Sequence, residues 1–247
     1  MQVEPSSVTG VGLIGPRADD FKEALRALLG REPDEILTPA LPYSIIVRND
    51  HVRPIALLGV RFDMVSRQVK TYSVVHYADT LRNPEKGDLK PGAMRFICAE
   101  PRYTDLVLRR EDTVDQRGPM NLKNLRTVLR ISASVDCAAF DDGEFHGPDT
   151  LGVFERFESE REAEIAFLEE VLLPDCAIET LLKYTLDASA GQSEDPALAA
   201  RRTLAKRLQE GFIEGGIPEV AARVAAWRHR ISLWRSGCDR ETAIPSV

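Results

Sequence analysis

Apolar and polar positions alternate in the front half of the chain. Between residues 43 and 64, apolar side chains recur at nearly every second position on both sides of the polar segment Arg48–His51. Side chains on a strand point alternately to its two faces, so this period predicts strands with one buried face. Asn49 and Asp50 favour a turn, because their side chains can bond the local backbone. We therefore predict a β-hairpin here, with Pro54 at the start of its second strand.

The longest regular alternation runs from Leu125 to Cys137, with apolar residues at most odd positions and mainly polar residues at even positions. It predicts a long antiparallel strand with one face in a core. Asp142-Gly143 predicts a tight turn and a second hairpin, because glycine readily adopts positive φ. Pro91-Gly92 is expected to precede a further strand. Together these signals favour a β-sandwich over a βαβ arrangement.

Beyond Pro148 the spacing of apolar residues changes to about 3.6, which predicts helices. Asp195-Pro196 is typical of a helix start, and Gly215-Gly216 followed by Pro218 predicts a break and a new helix. We expect a bundle of about four helices. The predicted α+β chain has three parts, namely an N-terminal loop with a short helix (1–32), an antiparallel β-sandwich (33–150) and an α-helical domain (151–247).

Composition and charge narrow the classes of function. The chain has 247 residues, of which 43% are hydrophobic and 29% charged, and its formal net charge is −7. This charge argues against general binding to nucleic acid or anionic membranes. No apolar run approaches the roughly 20 residues of a membrane helix, and we see no secretory signal. The four cysteines are dispersed without a C-x-x-C pair, which favours reduced thiols and a cytoplasmic location.

The predicted strands also resemble a known architecture. The hairpin around Asn49 and Pro54, the strand after Pro91-Gly92 and the long strand with its Asp142-Gly143 turn together resemble an immunoglobulin-like or fibronectin type III-like β-sandwich. The resemblance covers roughly residues 35–150. No tryptophan lies in this region and no cysteine in the hairpin could pair with Cys137, so an antibody-type disulfide is not expected. The resemblance implies a domain that binds proteins or acts as a spacer.

The segment Gly10–Gly15 matches the G-x-G-x-x-G pattern of dinucleotide-binding loops. Such a loop needs a preceding strand and a βαβ unit to deliver its glycines to a pyrophosphate. Only nine residues precede Gly10, Pro16 follows at once, and the later chain does not alternate strands and helices. We therefore expect a flexible glycine-rich leader and no cofactor.

Four residues of the segment DDGEFHGPD could bind a metal ion. Asp142, Glu144, His146 and Asp149 offer the oxygen and nitrogen atoms that calcium or zinc takes as ligands. Their spacing does not match an EF-hand loop. We expect a solvated acidic hairpin here and no metal.

The sequence carries no recognised catalytic motif. Its four histidines are isolated, and H-E-x-x-H, G-x-S-x-G and Walker A patterns are all missing. A hydrolase-like enzyme with a dispersed site between sheet and helices stays open as an alternative, because catalytic triads are defined by geometry and not by sequence order.

The helical part separates its charges. Residues 155–170 include seven acids, and residues 201–235 include eight basic residues. These are either solvated faces or complementary helices that lie near each other, within the chain or across a dimer. Trp227 and Trp234 share one helical stripe, which is either core or a partner-binding face.

The leading prediction is therefore a non-catalytic protein-interaction or scaffold module, with a protein partner or a second copy of the chain. Its expected interaction residues are Trp227, Trp234, Arg223 and Arg230. Nucleic-acid binding through the basic helices is a third possibility, and it would show a steep dependence on salt.

Overall fold

The structure is a computed structural model. It describes residues 1–67, 70–79, 87–101, 103–104, 122–171, 178, 182 and 195–241, with the backbone alone at 79, 123–124, 196 and 228–241. The chain is α+β and divides into two compact units, Met1–Asp149 and Thr150–Val247. In the first unit the elements are β1 (Gln2–Val3), β2 (Val11–Ile14), α1 (Phe21–Leu29), a 3₁₀ helix (Thr38–Tyr43), β3 (Ser44–Asn49), β4 (Ile55–Ser66), β5 (Thr71–Asp79), β6 (Met94–Cys98), α2 (Lys123–Arg126), β7 (Val128–Phe140) and β8 (Phe145–His146).

The strands of the first unit form two sheets. Sheet A has the order β1-β7-β4-β5, with β8 also paired to β7, and sheet B has the order β2-β3-β6. Alternate residues of β4, including Val60, Phe62 and Met64, are almost fully buried, as their period of two predicts. They belong to one hydrophobic core with Ile46 and Phe96 of sheet B.

The predicted hairpin at residues 43–64 is wrong in its pairing, although both of its strands exist. β3 pairs with β2 and β6, whereas β4 pairs with β5 and β7 in the other sheet. The buried side chain of Asn49 explains the crossing, since its Nδ2 donates to the carbonyls of Arg53 at 2.8 Å and Leu89 at 2.7 Å. Asn49 thus stabilises a connection between sheets and not a tight hairpin turn.

The expectation of a purely antiparallel fold is also wrong. β1 pairs parallel to β7, with Gln2 opposite Ser132 and Val3 opposite Ala133. The first residues were expected to be a loose leader, yet they contribute β1 and β2 to the two sheets. Gly, Ser and Pro hide these strands in the sequence because they interrupt the apolar alternation.

The long strand β7 follows its predicted alternation only from Ile131 to Val135, because Leu125 lies in α2 and Leu129, which was expected to face the core, is 65% exposed. Ile131, Ala133 and Val135 are buried as expected. The register then shifts, since Gly59 of β4 faces Cys137 while the next residue, Val60, faces Val135. Asp136 is therefore the extra residue of a β-bulge, which bends the strand and changes the direction of the side chains that follow.

The tight turn after β7 is as predicted. β8 pairs with the end of β7, and the backbone N–H of Gly143 donates to the carbonyl of Phe140 at 3.0 Å. Gly143 adopts φ 89°, which is the positive angle that an Asp-Gly turn requires.

The second unit contains α3 (Val153–Val171) and α4 (Pro196–Glu241). The predicted break in α4 is confirmed, because Gly216 has φ 65° and ψ −152° and interrupts the helix. The segments before and after the break contact each other, as Nη1 of Arg223 donates to the carbonyl of Arg207 at 3.0 Å. The core of this unit is formed by residues of both helices together with Leu182. Among the described residues, no helix is both long enough and apolar enough to cross a bilayer.

Candidate functional site

Strand β5 lies at one end of sheet A, where its outer backbone groups face away from the sheet. The N–H of Ser66 donates to the carbonyl of Lys70 at 2.9 Å at the start of the β4–β5 ladder. Hydrogen-bonded pairs recur at every second residue of an antiparallel ladder. With Met64 opposite Tyr72 and Phe62 opposite Val74, the even residues of β5 therefore bond to β4.

The odd residues of β5 turn their N–H and C=O groups outward. Thr71, Ser73, Val75 and Tyr77 present these groups at the outer edge, and no described strand pairs with them there. A row of unpaired backbone donors and acceptors is a template for a further strand.

Apart from Asp79 at its end, the side chains of β5 lack the usual protection of an exposed edge. The sequence from residue 71 to residue 78 is TYSVVHYA, without Lys, Arg, Asp, Glu or Pro. Native proteins commonly place charged residues or proline on exposed edges to prevent pairing with another chain. Tyr72 and Tyr77 are 41% and 48% exposed. Tyrosine is enriched in protein–protein interfaces, so the composition favours association.

A polar network holds β5 against β4. Nη2 of Arg61 donates to Oγ of Ser73 at 3.2 Å, and Nε of Arg61 donates to Asp63 at 2.9 Å. The hydroxyl of Ser73 donates in turn to the carboxylate of Asp63. These three side chains join the two strands on the face opposite the core and fix the position of β5.

The four candidate metal ligands Asp142, Glu144, His146 and Asp149 do not converge. Asp142 and Glu144 each accept a hydrogen bond from the guanidinium of Arg53, and Nε2 of His146 lies 2.7 Å from Oε1 of Glu144. The Arg53 guanidinium, followed by the His146 hydrogen bond, lowers the pKa of the Glu144 carboxyl below its ordinary value. These side chains form an ion-pair cluster around the turn. The fourth, Asp149, lies elsewhere.

Asp149 instead lies near Asp136 and Cys137 at the β-bulge. One potential ligand atom from each of the three residues lies within 4.8 Å of the other two, and both bulge residues are buried. Sequence reasoning missed this cluster because the bulge is not visible in the alternation. Burial, then the charges of Asp136 and Asp149, raise the pKa of the Cys137 thiol to about 12. The thiol is therefore protonated at neutral pH and is a poor nucleophile.

The glycines of the G-x-G-x-x-G segment fill tight packing positions. A side chain at Gly10 would meet His51, one at Gly12 would meet Asp50, and one at Gly15 would meet Val3. Gly10 also has φ 77°, which disfavours other residues. These contacts explain the glycines without reference to a phosphate.

The predicted interaction residues of the last helix have different surroundings. Trp227 is buried in the core of the second unit, and the guanidinium of Arg207 lies over its ring at 5.4 Å. Arg223 donates to Glu219 at 2.8 Å and to Glu214 at 2.5 Å. Both side chains stabilise the pair of helical segments. The side chains of Trp234 and Arg230 lie outside the described residues.

Of the two alternatives for the charged helices, proximity of acidic and basic residues is observed for one pair. Nη2 of Arg201 in α4 donates to both carboxylate oxygens of Glu170 in α3, each at 2.8 Å. The guanidinium of Arg201 also lies 5.3 Å from the centre of the Phe167 ring. This charge complementarity acts within the second unit.

Comparison with known protein families, with curated proteins and with solved structures returned no match to this chain.

Proposed function

We propose that this protein is a non-catalytic interaction module whose strand β5 pairs with a strand of a partner, and that the partner is a second copy of the chain. The observation that carries the proposal is the outward backbone edge of β5, formed by the odd residues from Thr71 to Tyr77. In strand addition, main-chain hydrogen bonds supply affinity while alternate side chains supply specificity. β5 offers both the outward main-chain groups and the alternating side chains that this mode of binding uses.

The sequence of β5 suits pairing with a second copy about a two-fold axis at Val75. Antiparallel pairing of two β5 strands about this axis places Val75 opposite Val75 of the partner subunit, and Ser73 opposite Tyr77 of the partner subunit. Between residues 71 and 78 the strand has no Lys, Arg, Asp or Glu, so no such charges oppose each other. The same surface serves both copies, as a closed two-fold interface requires.

The net charge of −7 works against this association at long range. Two copies repel each other through charges outside the strand, and salt screens such repulsion. We therefore expect dimerisation to strengthen as salt is added. Salt would have the opposite effect on binding to nucleic acid.

We further propose that the two sheets pack as an immunoglobulin-like sandwich in a cytoplasmic protein. The single core shared by Phe62 of sheet A and Phe96 of sheet B supports the sandwich, and the parallel strand β1 departs from that family. The free thiols of Cys98 and Cys137 are consistent with a reducing compartment.

Sedimentation velocity over a wide concentration range tests the proposed function. Val75→Pro removes an outward N–H but no bond of the β4–β5 ladder, so the sheet should tolerate it. Val75→Thr is the matched control, because threonine keeps the N–H and suits a strand.

We expect a concentration-dependent dimer for the wild type and Val75→Thr, and a monomer with an intact circular dichroism spectrum for Val75→Pro. A wild type that is monomeric at every concentration would contradict self-pairing. A folded Val75→Pro variant that dimerises as well as Val75→Thr would show that β5 is not the interface.

A further inference from the structure

A cavity of about 580 Å³ opens between α1 and the 3₁₀ helix of the first unit, away from the residues of β5. Small-molecule sites commonly have volumes of roughly 300 to 1,000 Å³. The cavity is lined by residues from the segment before α1, from α1 itself, from the loop after it and from the 3₁₀ helix.

The wall of this cavity is apolar and stiff. Phe21 and Leu25 lie one helical turn apart on α1, are 3% and 1% exposed, and form part of the lining together with Leu41 of the 3₁₀ helix. Pro33 and Pro42 also line the cavity, and their rings fix the backbone angle φ. A preformed apolar wall of this kind accommodates an alkyl chain with little loss of protein entropy.

The remaining lining residues give the cavity a positive charge. Arg26 is neutralised by Glu32, whose Oε1 lies 2.5 Å from its Nε. Arg17 and Lys22 line the same cavity, are exposed, and form no ion pair with any residue that the structure describes. The neighbouring acids Asp19, Asp20 and Glu23 do not line the cavity. The lining therefore includes two cationic side chains that have no ion-pair partner among the described residues.

We propose that this cavity binds an alkyl carboxylate, with its alkyl chain against Leu41, Pro33 and Pro42, in front of the buried Phe21 and Leu25, and its carboxylate held by Arg17 and Lys22. Hydrogen bonds between cationic side chains and a carboxylate are stronger than those between neutral groups. The alkyl chain supplies affinity by leaving water, and the two cations supply orientation. This site is independent of strand pairing through β5.

Isothermal titration of the full chain with decanoate, below the concentration at which decanoate forms micelles, tests this site. Decanol has no carboxylate and tests whether binding needs the negative charge of the ligand. Acetate has a single methyl group and tests whether binding needs the long alkyl chain of the ligand. Arg17→Gln with Lys22→Gln should weaken decanoate binding about tenfold, because both charge-assisted hydrogen bonds are lost. Arg31→Gln is the control, since Arg31 is an exposed residue that does not line the cavity.

We expect decanoate to bind in a one-to-one ratio, decanol to bind more weakly, acetate not to bind, and Arg31→Gln to behave as the wild type. Arg17→Glu with Lys22→Glu should abolish binding while thermal unfolding stays unchanged, because both residues are exposed. No decanoate binding, equal binding of decanol and decanoate, or unchanged binding in the double variants would overturn the proposal. Decanoate binding that persists in Val75→Pro would confirm that the site does not depend on β5 pairing.

Discussion

Gly59 of β4 faces Cys137 of β7 with no space for a side chain between them: a Cβ added to Gly59 would lie 2.6 Å from the Cys137 sulfur. The contact occurs where the β7 bulge begins, and the sulfur is fully buried. The close approach explains why a glycine occupies the interior of a long central strand.

Gly59→Ala is therefore expected to destabilise the first unit by about 1–3 kcal/mol, the usual cost of overpacking a core. Removing the sulfur should relieve this strain, so Gly59→Ala should cost much less in the background of Cys137→Ala. Urea unfolding of the two single variants and the double variant measures this coupling. Additive effects would show that the two residues do not share this space.

Arg53 holds the turn after β7 through Asp142 and Glu144 and lies 4.7 Å from the centre of the Phe140 ring. Arg53→Met should lower the free energy of unfolding by about 1 kcal/mol at neutral pH, since these interactions are partly exposed to solvent. Arg48→Met, which removes a more exposed pair with Asp50, is the control and should have a smaller effect.

The effect of Arg53→Met should depend on pH. Arg53 lowers the pKa of Glu144 in the folded state, so the carboxylate stabilises the fold above its unfolded pKa. This contribution is lost as the pH falls through the lower folded pKa. Urea unfolding of the wild type and Arg53→Met should therefore differ less in acid than at neutral pH. A difference that stays constant across this range would exclude the Glu144 ion pair as its source.

Arg223 connects the two segments of α4 through Glu214 and the carbonyl of Arg207, and it also donates to Glu219 within its own segment. Arg223→Met should destabilise the second unit by about 1 kcal/mol, because these hydrogen bonds are charge-assisted but partly exposed. Lys206→Met is the control, since Lys206 is exposed on the same helix. The unfolding temperature of each variant is measured from the loss of the helical circular dichroism signal. Equal unfolding temperatures for the two variants would contradict the proposal that Arg223 stabilises the contact between the two segments.

Local patterns predicted individual elements well but could not predict how they pair. The period of two identified β4 and the segment of β7 from Ile131 to Val135, because Phe62 and Ile131 obey burial on one face, whereas Leu129 is exposed against the pattern. The pairing of β3 depends on hydrogen bonds from Asn49 to Leu89, forty residues away in the chain. Such long-range contacts leave no local signal, so two strands in different sheets had the sequence pattern of a hairpin.

The candidate site in β5 also depends on strand pairing, which local sequence patterns did not predict. The residues of β5 are rich in β-branched and aromatic side chains, but only the register of β5 against β4 shows which of its backbone groups point outward. The Asp136 bulge similarly brought Cys137 and Asp149 together against the predicted alternation. In the helical unit, Gly216 was predictable as a break because glycine at positive φ interrupts a helix by its own local geometry.

Charge substitution at Val75 tests the central claim most directly, because the proposed two-fold axis places this residue opposite its own copy. Val75→Lys and Val75→Glu should each be monomeric, since like charges then face each other across the interface. An equimolar mixture should form a heterodimer in sedimentation velocity, because the two charges become complementary. Two variants that both dimerise alone as the wild type does, or a mixture that stays monomeric, would contradict pairing through β5.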